Sequence, residues 1–464
     1  MERSFIGRLV ELDALTRAYE TRGSAFWPVY GRRRIGKTEL IRQFLAEKRG
    51  IYFVGKQAPA PMQIREFLQA AAKALNEPLL ATQSVDGWEQ ALSTVVDHWK
   101  GPGKLILALD EFQWSAAASP ELPSVIQGLW DGGWRTSGKV FLILCGSFVG
   151  FMEREVLGRA SPLFGRRTGQ IHLQPFGFRE AARFHPRYSP RDQALTYFVC
   201  GGVPLYLRAF SDRVSVEDNL AAQILDPCAA LHHEADFLLR EELREVERYY
   251  GILLAVATGD ATPTAIASRT GLDVRQLGYY LQQLIDLGYL QKRWPLIPGG
   301  NQRRAVRYTV GDPLLRFWFH FLFPQLSGVT RLGPRRALRE LIKPGLPAYW
   351  GHCFESLCRE AIPDLLVREG ATGVVTVGEF WDRQSQIDVV GLRDDGRIEL
   401  GECKWGTVRS GRPVLDELLK KADSYPNPKN FSLGLRIFTA NSVKAVPNER
   451  FAVAWHSLAD LYAD

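Results

Sequence analysis

Eight residues constrain this chain more than any others. Gly31-Arg32-Arg33-Arg34-Ile35-Gly36-Lys37-Thr38 fits the phosphate-binding pattern G-x-x-x-x-G-K-[ST] at every fixed position. Such a loop works only between a buried strand and a helix, and the apolar run 25–30 before it and residues 39–48 after it read as those two elements. Glycine lets the backbone wrap a phosphate with its N–H groups turned inward, and the helix adds its positive N-terminal end. Lys37 would reach the β/γ-phosphates, and the Thr38 hydroxyl would ligate Mg²⁺.

At 464 residues the expectation is about three domains. The composition, 46% hydrophobic and 23% charged, is that of a globular protein. A net charge of +7 permits a polyanionic partner without requiring one. The six cysteines (145, 200, 228, 353, 358 and 403) form no C-x-x-C pair, so neither a zinc site nor a disulfide framework is indicated, and a reducing cytoplasm fits best. Residues 1–12 are charged and lack the apolar core of a signal peptide. The most apolar piece, 314–323, is too short for a membrane span and carries Arg316. The expectation is a cytoplasmic protein with no membrane association.

Downstream of the loop, 51–55 reads as a short strand and 62–75 and 88–99 as amphipathic helices. The unbroken apolar run 105–109 then ends in Asp110-Glu111, as a strand buried on both faces would end at an α/β ligand site. Asp110 would complete the Mg²⁺ shell, and Glu111 would orient or activate the attacking water. Another apolar strand, 140–144, runs into Cys145-Gly146-Ser147. Ser147 is either a sensor of the γ-phosphate and the water or a common strand-end polar residue. Arg166 and Arg167 precede the next strand, 170–173. Either could supply positive charge to the transition state, in cis or across a subunit interface, or both belong to a solvated basic turn.

These motifs, together with Phe5-Ile6-Gly7-Arg8-x-x-Glu11-Leu12 and Gly201-Gly202-Val203-Pro204-Leu205-Tyr206, resemble the archaeal-type ATPases, a branch of the AAA+/STAND NTPases also found in bacteria. The resemblance implies ATP with Mg²⁺, a nucleotide base near Gly202 and Pro204, and adenine-side contacts from Phe5, Ile6, Gly7 and Arg8. Pro28 departs from the pattern and demands an edge-like or bulged start to the first strand.

Residues 205–256 read as helical, with 235–257 the longest periodic segment. His232-His233-Glu234 lacks a third ligand at a suitable spacing and reads as a surface or capping group. A helix from 262 to about 271, a second from 273 to 287, and strands at 288–290 and 305–310 have the layout of a winged helix-turn-helix. Arg275, Gln276, Tyr279 and Gln283 could face DNA, with Arg303, Arg304 and Arg307 on phosphates. Equally, such a module serves as an internal lid in related NTPases.

A last domain is expected from about residue 346. Strands 387–392 and 397–405 flank Asp394-Asp395-Gly396, a three-residue hairpin connection. If Arg393 pairs with Arg397, Asp388 falls opposite Glu402, with Lys404 two residues along the same face. Two adjacent carboxylates repel unless a positive charge sits between them, and a divalent metal supplies one simply. Asp388, Glu402 and Lys404 match the pattern of the PD-(D/E)XK nucleases, which implies acids that bind Mg²⁺, a lysine that positions the attacking water or stabilises the scissile phosphate, and a further acid from the preceding helix, Glu355. Lys420 or Lys421 could meet DNA.

The fold class expected is α/β: a P-loop NTPase core with a parallel sheet (1–204), a helical subdomain (205–245), a winged helix (246–312), linking helices (313–345) and a restriction-endonuclease-like domain (346–464). The activity expected is an ATPase coupled to a metal-dependent nuclease acting on nucleic acid, DNA above RNA, suited to defence or mobile-element biology. Homo-oligomerisation and a protein trigger are compatible with it. The alternative is a nucleotide-dependent switch or scaffold whose nuclease-like domain is a non-catalytic interaction module.

Overall fold

The computed structural model describes residues 5–300 and 305–463. Two compact units divide it, Met1–Pro175 and Phe176–Asp464. Residues 176–204, grouped with the ATPase core from sequence, pack in the second.

The first unit is a five-stranded parallel sheet of β1 (Ala25–Tyr30), β2 (Gly50–Val54), β3 (Leu105–Asp110), β4 (Val140–Gly146) and β5 (Ile171–His172), in the order β2-β3-β4-β1-β5. Every residue of β3 and β4 is buried. Strand side chains alternate, so Ile106, Ala108, Phe141 and Ile143 enter a core with Ile41 and Phe44 of the helix Lys37–Leu45. Leu105, Leu107, Leu142 and Leu144 enter the opposite core with Phe67 of Ala60–Leu75 and Trp88 of Trp88–Asp97. Helices on both faces are what make a continuous apolar run stable as a strand, each fully buried Leu or Phe contributing about 1.5–3 kcal/mol. Pro28 sits where the expected edge-like character is real. The neighbouring amide of Phe26 points to the β5 side, toward the Thr168 hydroxyl, and β5 pairs with β1 only from Val29, so no ladder bond is lost at Pro28.

In the second unit, Pro263–Thr270 and Val274–Asp286 form two helices joined by a turn, followed by the antiparallel pair β6 (Leu290–Arg293) and β7 (Arg307–Val310). Asp312 caps the next helix through the Leu315 amide. The single helix expected at 235–257 is two, Glu234–Glu242 and Val246–Ala257. Between them Glu245 takes a left-handed φ of 53°, which breaks the hydrogen-bond run that apolar periodicity alone would have continued.

A second sheet follows, in the order β12-β11-β10-β9-β8, from β8 (Val375–Trp381), β9 (Gln386–Arg393), β10 (Arg397–Lys404), β11 (Ser432–Thr439) and β12 (Ala452–Ser457). β8, β9 and β10 are antiparallel neighbours, whereas β10, β11 and β12 run parallel. Val389 and Phe438 face the core that includes Phe354 and Ile362 of the helix Leu346–Arg368. Val390, Leu400 and Ile437 face Leu415 and Leu418 of the helix Gly411–Ser424. Among the described residues no helix is long and apolar enough to cross a membrane.

Candidate functional sites

In the first unit the phosphate-binding loop leaves β1 through positive-φ backbone that favours glycine: φ is 148° at Gly31 and 92° at Gly36, and Arg34 takes 69° between them. A Cβ at Gly31 would lie 2.3 Å from the Leu173 carbonyl oxygen, so the loop closes against the chain after β5. Lys37 begins the helix Lys37–Leu45 and donates to the carbonyls of Gly31 (2.8 Å) and Arg32 (2.7 Å), spanning the loop's mouth. Burial pulls its ammonium below the usual range against the opposing pull of Cys145, Glu111 and Asp110.

The ends of β3 and β4 bring the other predicted groups to this loop. Thr38 Oγ1 donates to Asp110 Oδ2 at 2.7 Å, and the Tyr52 hydroxyl donates to the same oxygen at 2.5 Å. Asp110 Oδ1 accepts the Glu111 amide at 2.9 Å. Glu111 stands at a left-handed φ of 48°, and its Oε2 accepts Ser147 Oγ at 2.8 Å together with the Gln113 side-chain amide. The Gln113 amide also reaches Ser147 Oγ at 3.3 Å. Gln113 Oε1 is buried without a hydrogen-bond partner, which leaves an acceptor for a water or a ligand. Thr38 and Asp110 pair a hydroxyl with a carboxylate beside a lysine, a donor set that fits Mg²⁺ and phosphate oxygens.

Tyr52 and Gln113 were not identified from sequence. Tyr52 lies in a strand that reads as structural, and Gln113 falls in a helix rather than in the motif. Arg8 is 6% exposed and takes a φ of 60°. It donates to the Ile35 carbonyl at 3.2 Å and the Gln174 carbonyl at 2.6 Å, which straps the start of the chain to the phosphate loop. Gly7 also has positive φ, and Phe5 packs against the core under the loop. Arg166 is committed to Asp131, with Nε at 3.0 Å from both carboxylate oxygens, whereas Arg167 is exposed. Gly202 and Pro204 belong to the second unit. A Cβ at Gly202 would meet the Phe176 carbonyl oxygen at 1.8 Å, and Pro204 opens the helix Pro204–Ala209, so close packing already accounts for both residues.

The carboxylate site of the second unit follows the expected register. Ile398 pairs with Leu392 and Gly401 with Val389, which sets Glu402 opposite Asp388. Gly396 turns the hairpin at φ 80°. Asp388 is 7% and Glu402 2% exposed, so both acids point inward. Asp388 Oδ2 accepts the Cys403 amide at 3.0 Å. Burial, then the charges of Glu402 and Glu355, push the Asp388 carboxyl up to about 7. Glu355 approaches from the helix Leu346–Arg368, and its Oε2 is buried without a hydrogen-bond partner. Asp388, Glu402 and Glu355 supply carboxylate oxygens, the donor type that a divalent cation takes, while Glu355 Oε2 lies 3.5 Å from His352 Nδ1.

Lysines hold the other side of this site. Glu402 binds Lys404 at 2.8 Å and Lys421 at 2.7 Å, and Glu417 binds the same two at 3.0 and 3.1 Å. Burial alone would lower both ammonium groups, but Glu402 and Glu417 raise them above their usual range. Among the described residues no group of three or more His, Cys, Asp or Glu side chains stands ready to hold a metal. Glu417 carries one local mark in the sequence, its i, i+4 spacing to Lys421.

On the helix Val274–Asp286, Arg275, Gln276 and Tyr279 are exposed and Gln283 is half-buried. Arg307 stacks over the Trp381 ring at 4.6 Å instead of standing free for phosphate, because β7 lies beside the second sheet. Arg303 and Arg304 lie outside the described residues.

A parallel sheet whose strand ends gather a phosphate loop, a threonine–aspartate pair and an oriented glutamate defines a P-loop ATPase. Residues 5–210 match the model of an ATPase domain found predominantly in Archaea. Residues 318–414 match a family of archaeal and bacterial proteins of unknown function. The chain is 27% identical over 424 residues to an uncharacterized protein of Methanocaldococcus jannaschii, covering 90% of this chain and 92% of that one. Among solved structures, a Walker-type ATPase of Pyrococcus abyssi is similar with a TM-score of 0.51 at 18% identity, over 68% of this chain and 96% of that one. The ORC2 protein of Aeropyrum pernix gives a TM-score of 0.47 at 14% identity, over 71% and 96% of the two chains. The chain therefore carries a nucleotide-binding P-loop ATPase domain, joined to a region matching a family without assigned function.

Gln113→Ala is expected to lower the ATPase kcat by about tenfold to a hundredfold with KM little changed, since it frees the Glu111 carboxylate it orients. Steady-state turnover at varied ATP separates the two constants.

Proposed function

We propose that this protein hydrolyses ATP in its first unit and uses the nucleotide cycle to govern phosphodiester cleavage of DNA by its second. The Glu111 carboxylate carries the first half: it is held by Ser147 and Gln113 beside the phosphate loop. In this reading Lys37 turns from the loop carbonyls to the β/γ-phosphates, and Glu111 orients the attacking water and takes its proton. Phe5 to Arg8 are proposed on the base side of the nucleotide. A divalent cation, held by Thr38 and Asp110 in the first unit and by Asp388, Glu402 and Glu355 in the second, would supply positive charge to a phosphate oxygen. Lys404 steadies the charge of the scissile phosphate in the second unit, while the Asp388 carboxylate is fixed by the Cys403 amide. The two-helix module with β6 and β7 is proposed as a winged helix whose Val274–Asp286 helix faces DNA.

Plasmid, linear and single-stranded substrates with Mg²⁺ or Mn²⁺, with and without ATP, test the coupling. Cleavage should be lost in Asp388→Ala/Lys404→Ala and altered in Lys37→Ala. Retained ATP turnover with no cleavage of any substrate would favour the second reading, a nucleotide-dependent switch with a non-catalytic nuclease-like module. One observation favours that reading: both Glu402 oxygens are engaged by lysines.

A further inference from the structure

The chain beyond β6 continues into the second sheet. Pro295 bridges Glu379 of β8 in parallel, and the Leu296 amide donates to the Glu379 carbonyl at 2.8 Å. The Leu296 carbonyl accepts the Tyr425 hydroxyl at 2.8 Å, and Leu296 and Ile297 pack against the apolar core of the sheet. An outer strand normally presents unpaired backbone groups, and here part of that edge is covered.

This junction delivers Arg293 to a carboxylate behind the acidic site. Glu379 is 12% exposed and lies between two guanidinium groups, with Arg293 Nη1 3.1 Å from one oxygen and Arg359 Nη1 3.5 Å from the other. Burial would raise the Glu379 carboxyl, yet Arg359 and Arg293 bring it below its usual range, so it is held ionised. Arg359 Nη1 also donates to the Asp388 carbonyl at 2.6 Å, and its Nη2 reaches Ser356 Oγ at 3.1 Å. Its Nη1 lies 4.0 Å from Glu355 Oε2. Arg359 is thus divided between Glu379 and two of the three acids proposed to hold a cation.

Resting on the reading of Asp388, Glu402 and Glu355 as a divalent-cation site, we propose that Arg293 is a positioning residue for that site, acting through Glu379 and Arg359. A buried carboxylate that loses one of two cations draws harder on the one that remains. Removing Arg293 therefore pulls Arg359 toward Glu379 and away from the Asp388 backbone and Glu355. The β6 strand of the two-helix module thereby sets the geometry of the acids.

The test uses the full chain without nucleotide. Mn²⁺ binding is followed by electron paramagnetic resonance in wild type, Arg293→Gln, Arg293→Lys and Asp388→Asn. Outer-shell partners of metal ligands typically change affinity by 10–100-fold, so Arg293→Gln should weaken the Mn²⁺ site by about tenfold or more. Arg293→Lys should recover most of it, and Asp388→Asn should remove it. Independently of metal, hydrogen exchange of the Cys403 amide, which donates to Asp388 Oδ2, should accelerate in Arg293→Gln and return toward wild type in Arg293→Lys. Wild-type exchange at Cys403 in Arg293→Gln would overturn the proposal even if no Mn²⁺ binds. Mn²⁺ binding identical in wild type and Asp388→Asn would instead overturn the cation-site reading, with the exchange result still deciding the role of Arg293.

Discussion

Glu111→Gln is expected to slow ATP hydrolysis by about 10²–10⁴-fold while nucleotide binding stays close to wild type. The substitution keeps the length of the side chain and its contact with Ser147, and it removes only the group able to accept a proton. Binding rests on other residues, because the phosphate loop, Lys37 and the Thr38–Asp110 pair are unchanged. Single-turnover hydrolysis measured alongside binding of a fluorescent nucleotide separates the two effects. Wild-type turnover in Glu111→Gln would remove Glu111 from the chemistry. Loss of binding instead would mean that the Glu111–Ser147–Gln113 cluster builds the loop rather than serving the water.

On the proposed nuclease reading, Asp388→Asn is expected to abolish metal-dependent cleavage and, in the metal-free protein, to raise stability at pH 8. Burial and the charges of Glu402 and Glu355 raise the Asp388 carboxyl from 3.8 to about 7 on folding. A group whose folded value is raised binds its proton more tightly in the fold. Its favourable contribution is therefore full below the unfolded value and is lost as pH climbs from about 4 to 7. Above that window the wild type bears an ionised, buried acid beside two others. Asparagine cannot ionise, and its side-chain oxygen can still accept the Cys403 amide. The gain at pH 8 is about 4 kcal/mol at most, falling toward zero near pH 4. Urea unfolding in EDTA at pH 5 and pH 8 measures it, and an equal or lower stability for Asp388→Asn at pH 8 would refute the repulsion. A stability gain paired with a loss of function is the pattern of a site kept strained for its ligand.

The ATP site was legible because its parts are local. The loop from Gly31 to Thr38 has a contiguous signature, and unbroken apolarity in 105–109 and 140–144 reports strands that helices cover on both faces. The pairing of Asp388 with Glu402 was legible for a related reason, since a short hairpin with glycine at Gly396 fixes the register and strand alternation fixes the face. Tyr52 and Gln113 carried no such mark. Each reaches the site from an element whose sequence is already accounted for by the core it packs against. The break between Glu242 and Val246 was equally hidden, because apolar periodicity runs through the extended Leu243 and the left-handed Glu245.

What the sequence determined by itself was the chemistry along each strand end and each hairpin: a phosphate loop, two acids at the end of β3, and an Asp facing a Glu two residues from a lysine. Backbone conformation and side-chain alternation are short-range properties, and a linear motif encodes them directly. Tertiary structure alone decided which distant groups share those sites. It set Arg8 as a strap on the phosphate loop, tied Arg166 to Asp131, gave Glu402 two lysines, and placed Arg293 behind Asp388 through Glu379 and Arg359. Such pairings follow from how buried charges find partners once the core has closed, and no local periodicity records that choice.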